Sequence, residues 1–193
     1  MKQIVGKLLV ASCLFSYVSA TTSTEVFAKY RNGHFIETGS YFGDGIQKAL
    51  DAGYKEIYSV ELSPIYYEHS TKRFVNQKNV HIFLGNSEHL LFQIIQKIKV
   101  PVTFWLDGHY SGGDTAQGKG NTPLLGELEA IKKHPIKTHT ILIDDVRELG
   151  TTSMDNISLE AVIKKLKEIN PNYTIKFEDG YVPGDVLVAY IPK

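Results

Sequence analysis

The sequence predicts a single α/β domain built on a doubly wound, mostly parallel sheet that ends in an antiparallel hairpin. Three observations support this: strand and helix patterns alternate along the chain, the first strand runs into a glycine-rich turn, and no helical pattern separates the last two strands. With 193 residues, 42% of them hydrophobic, the chain is long enough to bury a full core without disulfides.

The strand and helix patterns follow one another in a regular order. The apolar residues 34–36 predict the first strand, and a helical stretch after the glycine-rich turn leads to a second strand that ends at Glu61. A helix then begins at Ser63 and Pro64. The remaining predicted elements are a strand at 80–84, a helix at 87–98, a strand at 100–106, a helix from Thr122 and Pro123 to about residue 133, a strand at 140–143 and a helix at 157–169.

The carboxyl-terminal segment has a different pattern. Strands are predicted at 173–177 and 185–191, and the turn-forming residues 178–184 join them without a helix. Such a connection is a hairpin, so one of these two strands is expected to run antiparallel to the rest of the sheet.

Residues 1–20 are predicted to be a signal peptide, so the domain itself spans residues 21–193. Lys2 and Lys7 precede an apolar stretch, and Val18 and Ala20 are placed where a signal peptidase reads small residues. The expected product is an exported chain that begins at Thr21. The alternative is a cytoplasmic protein in which this segment is an N-terminal helix packed on the domain. The apolar stretch is too short for a membrane span, so no stable span is expected after leader removal.

Composition argues against several classes of function. The 21 basic residues balance the 21 acidic ones, so no basic surface predicts a nucleic-acid partner. Cys13 is the only cysteine, which excludes a disulfide framework and a CxxC zinc site, and the seven histidines form no HExxH motif.

The glycine-rich turn predicts a nucleoside-binding site. Gly39 and Gly43 follow the first strand and permit positive φ angles and close backbone approach, while the free N–H groups of the next helix face the space above the strand. Glu61 ends the second strand, where a carboxylate can bind both hydroxyls of a ribose. Three residues separate Gly39 from Gly43, which departs from the GxGxxG fingerprint and disfavours NAD.

Acidic residues also follow the fourth and fifth strands. Asp107 ends one of them, and Asp144 and Asp145 end the other, so these carboxylates are expected at one edge of the sheet. Carboxylates crowded at the rim of a core repel one another unless a cation compensates, and oxygen ligands without sulfur favour Mg²⁺. The alternative for any one of these aspartates is a loop cap or an ion pair with Arg147.

The glycine-rich segment 109–121 follows the fourth strand and is interpreted as a mobile lid. Its partial matches to a P-loop and to a GxSxG nucleophile motif both fail at required positions. His109 lies two residues beyond Asp107 and is the candidate general base, because an imidazole pKa of about 6.5 suits proton transfer near neutral pH. The alternative is a histidine that only binds a loop carbonyl.

Together, the glycine turn, the acid after strand two, the acids after strands four and five and the terminal hairpin resemble the class I S-adenosylmethionine-dependent methyltransferases, which have a Rossmann-like fold. The acid pattern is similar to the metal-dependent macrocin O-methyltransferase-like branch, although that branch tends to carry an acid where His109 stands. The resemblance implies metal ligands at Asp107, Asp144 and Asp145. It implies cofactor-binding residues at Glu37, Gly39, Ser40, Gly43, Glu61, Leu62, Asn86, Ser87 and Asp107.

The expected function is therefore a Mg²⁺-assisted, S-adenosylmethionine-dependent O-methyltransferase acting on a hydroxyl of a small molecule or sugar, with His109 and Asp107 as catalytic residues. The alternative is a catalytically degenerate protein of the same fold that acts as an exported binding or interaction module. The short segment between Ala20 and Phe35 leaves little room for helices that cover a substrate. The substrate side is then open, or completed by a second subunit in a homodimer.

Overall fold

The computed structural model describes residues 22–192, so the predicted leader lies outside the described residues. Strands and helices alternate as the sequence predicts. The strands are β1 (His34–Thr38), β2 (Ile57–Glu61), β3 (Val80–Leu84), β4 (Val102–Leu106), β5 (Thr140–Ile143), β6 (Thr174–Glu178) and β7 (Val186–Tyr190). The helices are α1 (Thr24–Lys29), α2 (Asp44–Asp51), α3 (Pro64–Arg73), α4 (Ser87–Ile95), α5 (Leu124–Lys133) and α6 (Leu159–Ile169), with short 3₁₀ turns at Val146–Glu148 and Thr152–Met154.

The seven strands form one sheet in the order β3-β2-β1-β4-β5-β7-β6. Strands β1 to β5 pair in parallel, whereas β7 runs antiparallel to both β5 and β6. This confirms the predicted doubly wound sheet and its terminal hairpin. The strand order reverses between β1 and β4, and ligands bind above such a reversal in open α/β sheets.

Strand β4 lies at the centre of the sheet and is buried on both faces, as a parallel strand covered by helices should be. Side chains alternate between the two faces. Phe104 packs into the core beneath α4, α5 and α6, and Trp105 packs into the opposite core. There the Trp105 ring lies 5.2 Å from the ring of Phe27 on α1. The two cores clamp β4, which fixes the position of the residues that follow it.

The structure differs from the prediction mainly at helix ends. The short helix α1 was not expected from the sequence; Ser23 caps it by accepting a hydrogen bond from the Val26 N–H at 3.3 Å. Helix α6 begins at Leu159, two residues later than predicted, because the Ser158 hydroxyl caps it by accepting a hydrogen bond from the Ala161 N–H. Among the described residues, no helix is long and apolar enough to cross a membrane.

Candidate active site

The glycine-rich turn connects β1 to α2 in the expected place. Gly39 has a φ of +84°, and a Cβ there would collide with the Asp107 carbonyl oxygen at the end of β4. Gly43 has a φ of +85°, caps α2 and lies against the ring of Phe74. Only glycine fits these two positions, because each combines a left-handed backbone with a close neighbour. The turn is thereby held against the end of β4.

Glu61, at the end of β2, is held by two backbone donors. Its Oε2 accepts from the Tyr41 N–H at 2.9 Å, and its Oε1 accepts from the Ser63 N–H at 2.8 Å. The residue is only 6% exposed, yet it lines the large cavity above the sheet. Each carboxylate oxygen retains a free lone pair. The side chain is therefore fixed and able to accept two more hydrogen bonds from the cavity side.

That cavity has a volume of about 960 Å³ and lies at the carboxyl edge of the parallel strands. It brings together most of the residues predicted from the sequence, namely Gly39, Glu61, Leu62, Asn86, Ser87, Asp107, His109 and Asp145. Four other predicted residues lie outside its lining: Glu37, Ser40, Gly43 and Asp144.

Glu37 and Ser40 belong to a buried hydrogen-bonded chain beneath the turn. The Ser40 hydroxyl lies 2.6 Å from the Ser59 hydroxyl, which donates to Glu37 Oε2 at 2.7 Å. Burial raises the pKa of the Glu37 carboxyl well above its usual range, more than the Ser59 hydrogen bond lowers it. The structure places both side chains where they brace the turn from the core side.

Asn86 and Ser87 line the cavity and also have structural partners. The Asn86 side chain caps α4 by accepting from the Glu88 N–H at 2.9 Å. The Ser87 hydroxyl donates to Glu127 Oε1 at 2.6 Å. Among the described residues the Asn86 amide nitrogen has no hydrogen-bond partner, and the Ser87 hydroxyl can still accept a hydrogen bond from a ligand.

The acidic residues after β4 and β5 form two overlapping groups. Ligand atoms of Asp107, His109 and Asp145 lie within 4.8 Å of one another, and so do those of Asp144, Asp145 and Asp185. The three predicted metal ligands therefore do not form one group of this kind. Asp145 has a left-handed backbone with a φ of 54° and takes part in both groups, whereas Asp144 takes part only in the second.

The first group surrounds the imidazole of His109. Its Nδ1 lies 3.3 Å from Asp145 Oδ2 and 3.6 Å from Asp107 Oδ1, without hydrogen-bond geometry to either, and its Nε2 lies 3.3 Å from the Ser111 hydroxyl. Burial lowers the pKa of His109, but the carboxylates of Asp107 and Asp145 raise it more, so the net shift is upward. The imidazole of His109 therefore has its Nδ1 beside the carboxylates of Asp107 and Asp145.

Burial and crowding also raise the pKa values of Asp107 and Asp144. Burial raises the pKa of Asp107, and burial followed by the charges of Asp107 and Asp145 raises the pKa of Asp144 to about 9. Two buried atoms in these groups, His109 Nδ1 and Asp144 Oδ1, have no hydrogen-bond partner. Crowded carboxylates with an unpartnered buried oxygen are a donor set that a hard cation would satisfy.

Sequence reasoning missed two buried acids near the site. Glu127 on α5 is 1% exposed, and burial raises its pKa to about 7. Its place between Leu124 and Leu128 on the buried face of an amphipathic helix was the signal available in the sequence. Asp185 precedes β7 and pairs with Arg147. The same guanidinium lies 2.6 Å from Asp145 Oδ1, so the ion pair with Arg147 that the sequence offered as an alternative for a predicted ligand is present at Asp145.

The segment 109–121 covers one side of the cavity, and its carboxyl-terminal end is anchored. Asp155 accepts hydrogen bonds from the backbone N–H groups of Asn121 and Thr122 at 2.9 Å and 3.2 Å. The Asn121 amide also donates to the Thr152 carbonyl at 2.7 Å. Between these anchors and β4, Gly112 and Gly113 adopt positive φ angles with open space around them. Their mobility as a lid stays a prediction.

No family model and no curated protein sequence matches the chain. Solved structures do. A methyltransferase from Podospora anserina with bound SAH is similar, with a TM-score of 0.60 and 16% identity over 88% of this chain and 76% of that one. The Bacillus cereus O-methyltransferase in complex with SAH has a TM-score of 0.56 and 14% identity, over 86% of this chain and 76% of that one. A third similar structure is the O-methyltransferase TomG of Streptomyces achromogenes, which is involved in tomaymycin synthesis and was solved with SAM. Its TM-score is 0.57, with 14% identity over 88% of this chain and 78% of that one.

These similarities establish the fold, which is that of the S-adenosylmethionine-dependent methyltransferases. The predicted fold class is confirmed. The resemblance to the macrocin O-methyltransferase-like branch stays a prediction.

Proposed function

We propose that the protein is an S-adenosylmethionine-dependent O-methyltransferase that acts on a hydroxyl group of a small molecule or sugar. The observation that supports this best is Glu61, a carboxylate fixed by two backbone N–H groups and facing a cavity bordered by the Gly39 turn. The similar structures that contain SAH or SAM support the same ligand.

Cofactor binding would use the part of the cavity between β1, β2 and β3. Glu61 accepts hydrogen bonds from the ribose hydroxyls, Leu62 forms an apolar wall, and Asn86 and Ser87 offer polar atoms beside the adenine. The Gly39 turn lets the ligand approach the backbone. S-adenosylmethionine supplies an electrophilic methyl group on its sulfonium, so the protein has to orient an oxygen nucleophile and remove its proton.

His109 is the proposed base. Carboxylates of Asp107 and Asp145 lie beside Nδ1 and favour the tautomer that carries its proton there, which leaves Nε2 to accept the proton of the acceptor hydroxyl. The same carboxylates stabilise the imidazolium that forms. Asp107 is therefore proposed to orient the base as well as to line the cofactor site.

A single Mg²⁺ fits beside this base. The ion usually binds one or two protein carboxylates and keeps several waters, and Asp107 and Asp145 provide such a pair. When bound, it would lower the pKa of an acceptor hydroxyl. Asp144, the third predicted ligand, faces the neighbouring group, so its role as a direct ligand stays a prediction.

The alternative, a degenerate binding module, is not favoured. A protein that only binds a partner has no physical need to keep Glu61 fixed toward the cavity or to crowd Asp107, Asp145 and His109 at one edge of the sheet. Export through residues 1–20 and assembly into a homodimer remain parts of the proposal that depend on the sequence alone.

The test is turnover with a panel of acceptors. The protein is incubated with S-adenosylmethionine and phenols, polyols or sugars, and SAH release is measured in Mg²⁺ and in EDTA. The proposal expects SAH release that requires an acceptor and falls in EDTA. Bound cofactor with background SAH release for every acceptor would favour the binding module, and full turnover in EDTA would remove the metal from the mechanism.

A further inference from the structure

The second acidic group already contains a cation. Arg147 Nη2 lies 2.6 Å from Asp145 Oδ1, and Arg147 Nη1 pairs with Asp185 Oδ2. The side chain of Asp185 is fully buried and also accepts from the Arg147 backbone N–H at 3.0 Å. The guanidinium therefore bridges two of the three carboxylates in that group.

This arginine is fixed on several sides. Its Nε lies 3.5 Å from Glu148 Oε1, and its guanidinium carbon lies 5.7 Å from the centre of the Tyr181 ring. The Asp185 carbonyl accepts from the Val146 N–H at 3.0 Å, which attaches the arginine's own backbone to the start of β7. A planar guanidinium held at two carboxylates is a well-ordered charge, unlike a flexible lysine ammonium.

The remaining carboxylate of the group has one oxygen without a hydrogen-bond partner. Asp144 is 2% exposed, and its Oδ1 has no hydrogen-bond partner. The group thus has one unused buried ligand atom next to two carboxylates that a guanidinium bridges. Oxygen ligands in this number suit a hard divalent ion, which could enter only if the guanidinium left.

We propose that Arg147, fixed by Asp185, is the resident cation of the group formed by Asp144, Asp145 and Asp185 and limits the site to one divalent ion, held at Asp107 and Asp145. The inference deepens the proposed metal site and rests on the proposed function for that first ion. Arg147 also lines the cavity. The acceptor would therefore meet two positive centres, the divalent ion and the guanidinium of Arg147.

The experiment counts Mn²⁺ ions per chain by calorimetry and by electron paramagnetic resonance of free Mn²⁺. Wild type is expected to bind one ion and Arg147→Met two. Asp144→Ala in the Arg147→Met background should return the count to one, because it removes the unused oxygen ligand. Arg73→Met is the matched control: it removes the same charge from an exposed pair with Asp44, at 2.7 Å, and should leave one ion.

Every count decides the proposal. One ion in both wild type and Arg147→Met overturns the inference and leaves the first site standing. Two ions in wild type also overturn it. No ion in wild type but one in Arg147→Met supports Arg147 as the resident cation of the second group but removes the ion at Asp107 and Asp145 from the inference and from the proposed function, and no ion in either rejects both.

Loss of the guanidinium leaves buried Asp185 without its charged partner, so the folding of Arg147→Met is followed by circular dichroism with and without millimolar Mn²⁺. Folding that Mn²⁺ restores supports the inference. A variant that stays unfolded at saturating Mn²⁺ contradicts it, because the ion then fails to replace the arginine.

Discussion

Glu61 offers the sharpest single perturbation of the proposed cofactor site. In Glu61→Ala the cavity loses a carboxylate that two backbone N–H groups hold in place and that is proposed to bind the ribose. Hydrogen bonds to a charged group contribute about 1.5–3 kcal/mol. We therefore expect the Kd for S-adenosylmethionine to rise by about 10- to 150-fold, since each 1.4 kcal/mol is a factor of about ten.

The same change leaves the N–H groups of Tyr41 and Ser63 without their acceptor. An unpaired buried donor costs about 1–3 kcal/mol, at the low end where water can replace the lost partner, as it can beside this cavity. The melting temperature of the variant must therefore be measured alongside its affinity, so that weak binding by a folded protein is separated from unfolding.

Calorimetry of S-adenosylmethionine binding is the assay. Glu68→Ala is the control, because it removes the same carboxylate from an exposed position on α3, where the side chain is 69% exposed and lies 3.7 Å from Lys72. The control should bind as wild type does. A folded Glu61→Ala protein whose Kd stays within about twofold of wild type would refute the ribose assignment.

Three further predictions concern the base, acid stability and the leader. His109→Ala should lower turnover by about 10² to 10⁴ and remove the acidic limb of the pH profile: the neutral imidazole is active, and its raised pKa makes activity fall as pH drops through that value. An unaltered profile would exclude His109. Burial, with the charge of His134, lowers the pKa of His139 to about 3; below an unfolded value of about 6.5, only the unfolded chain gains that proton, so His139 itself contributes about 2 kcal/mol less stability at pH 5 than at pH 7. Buried acids such as Asp144, with a pKa raised to about 9, change stability in the opposite direction, so wild type is compared with His139→Gln by urea unfolding at both pH values. The stability of wild type minus that of the variant should be about 2 kcal/mol lower at pH 5 than at pH 7, and an unchanged difference would contradict the assignment. Intact mass of protein from its native host should show a chain beginning at Thr21, and a chain beginning at Met1 would reject export.

Much of the fold was predictable because its signals are local. The strands at 80–84 and 140–143 match β3 and β5 residue for residue, since each is a short apolar run between turn residues. Helix α1 was not predictable in the same way. It has six residues, and Phe27 is the one among them that is buried, so no periodic pattern announces it.

The site was predictable where topology alone places residues together. Glu61, Asp107 and Asp145 follow parallel strands, and the carboxyl ends of such strands meet at one edge. Asp185 escaped this reasoning because it precedes its strand. Since β7 runs antiparallel to β5, its beginning lies at that same edge.

Side-chain direction could not be read from the sequence. Ser40 follows Gly39 in the turn and was expected to face the cofactor, but a hydroxyl on the neighbouring strand, that of Ser59, holds it on the core side. Likewise Asp144 and Asp145 are adjacent in sequence, yet the left-handed backbone of Asp145 lets it join Asp107 and His109 while Asp144 does not.

The central claim is that the cavity binds S-adenosylmethionine, and calorimetric titration of the full chain in Mg²⁺ and in EDTA tests it most directly. We predict saturable binding of one S-adenosylmethionine per chain in both buffers, because backbone N–H groups, and no metal, hold Glu61, the proposed ribose ligand, in place. If neither S-adenosylmethionine nor SAH bound at millimolar concentration in either of the two buffers, the account would be contradicted.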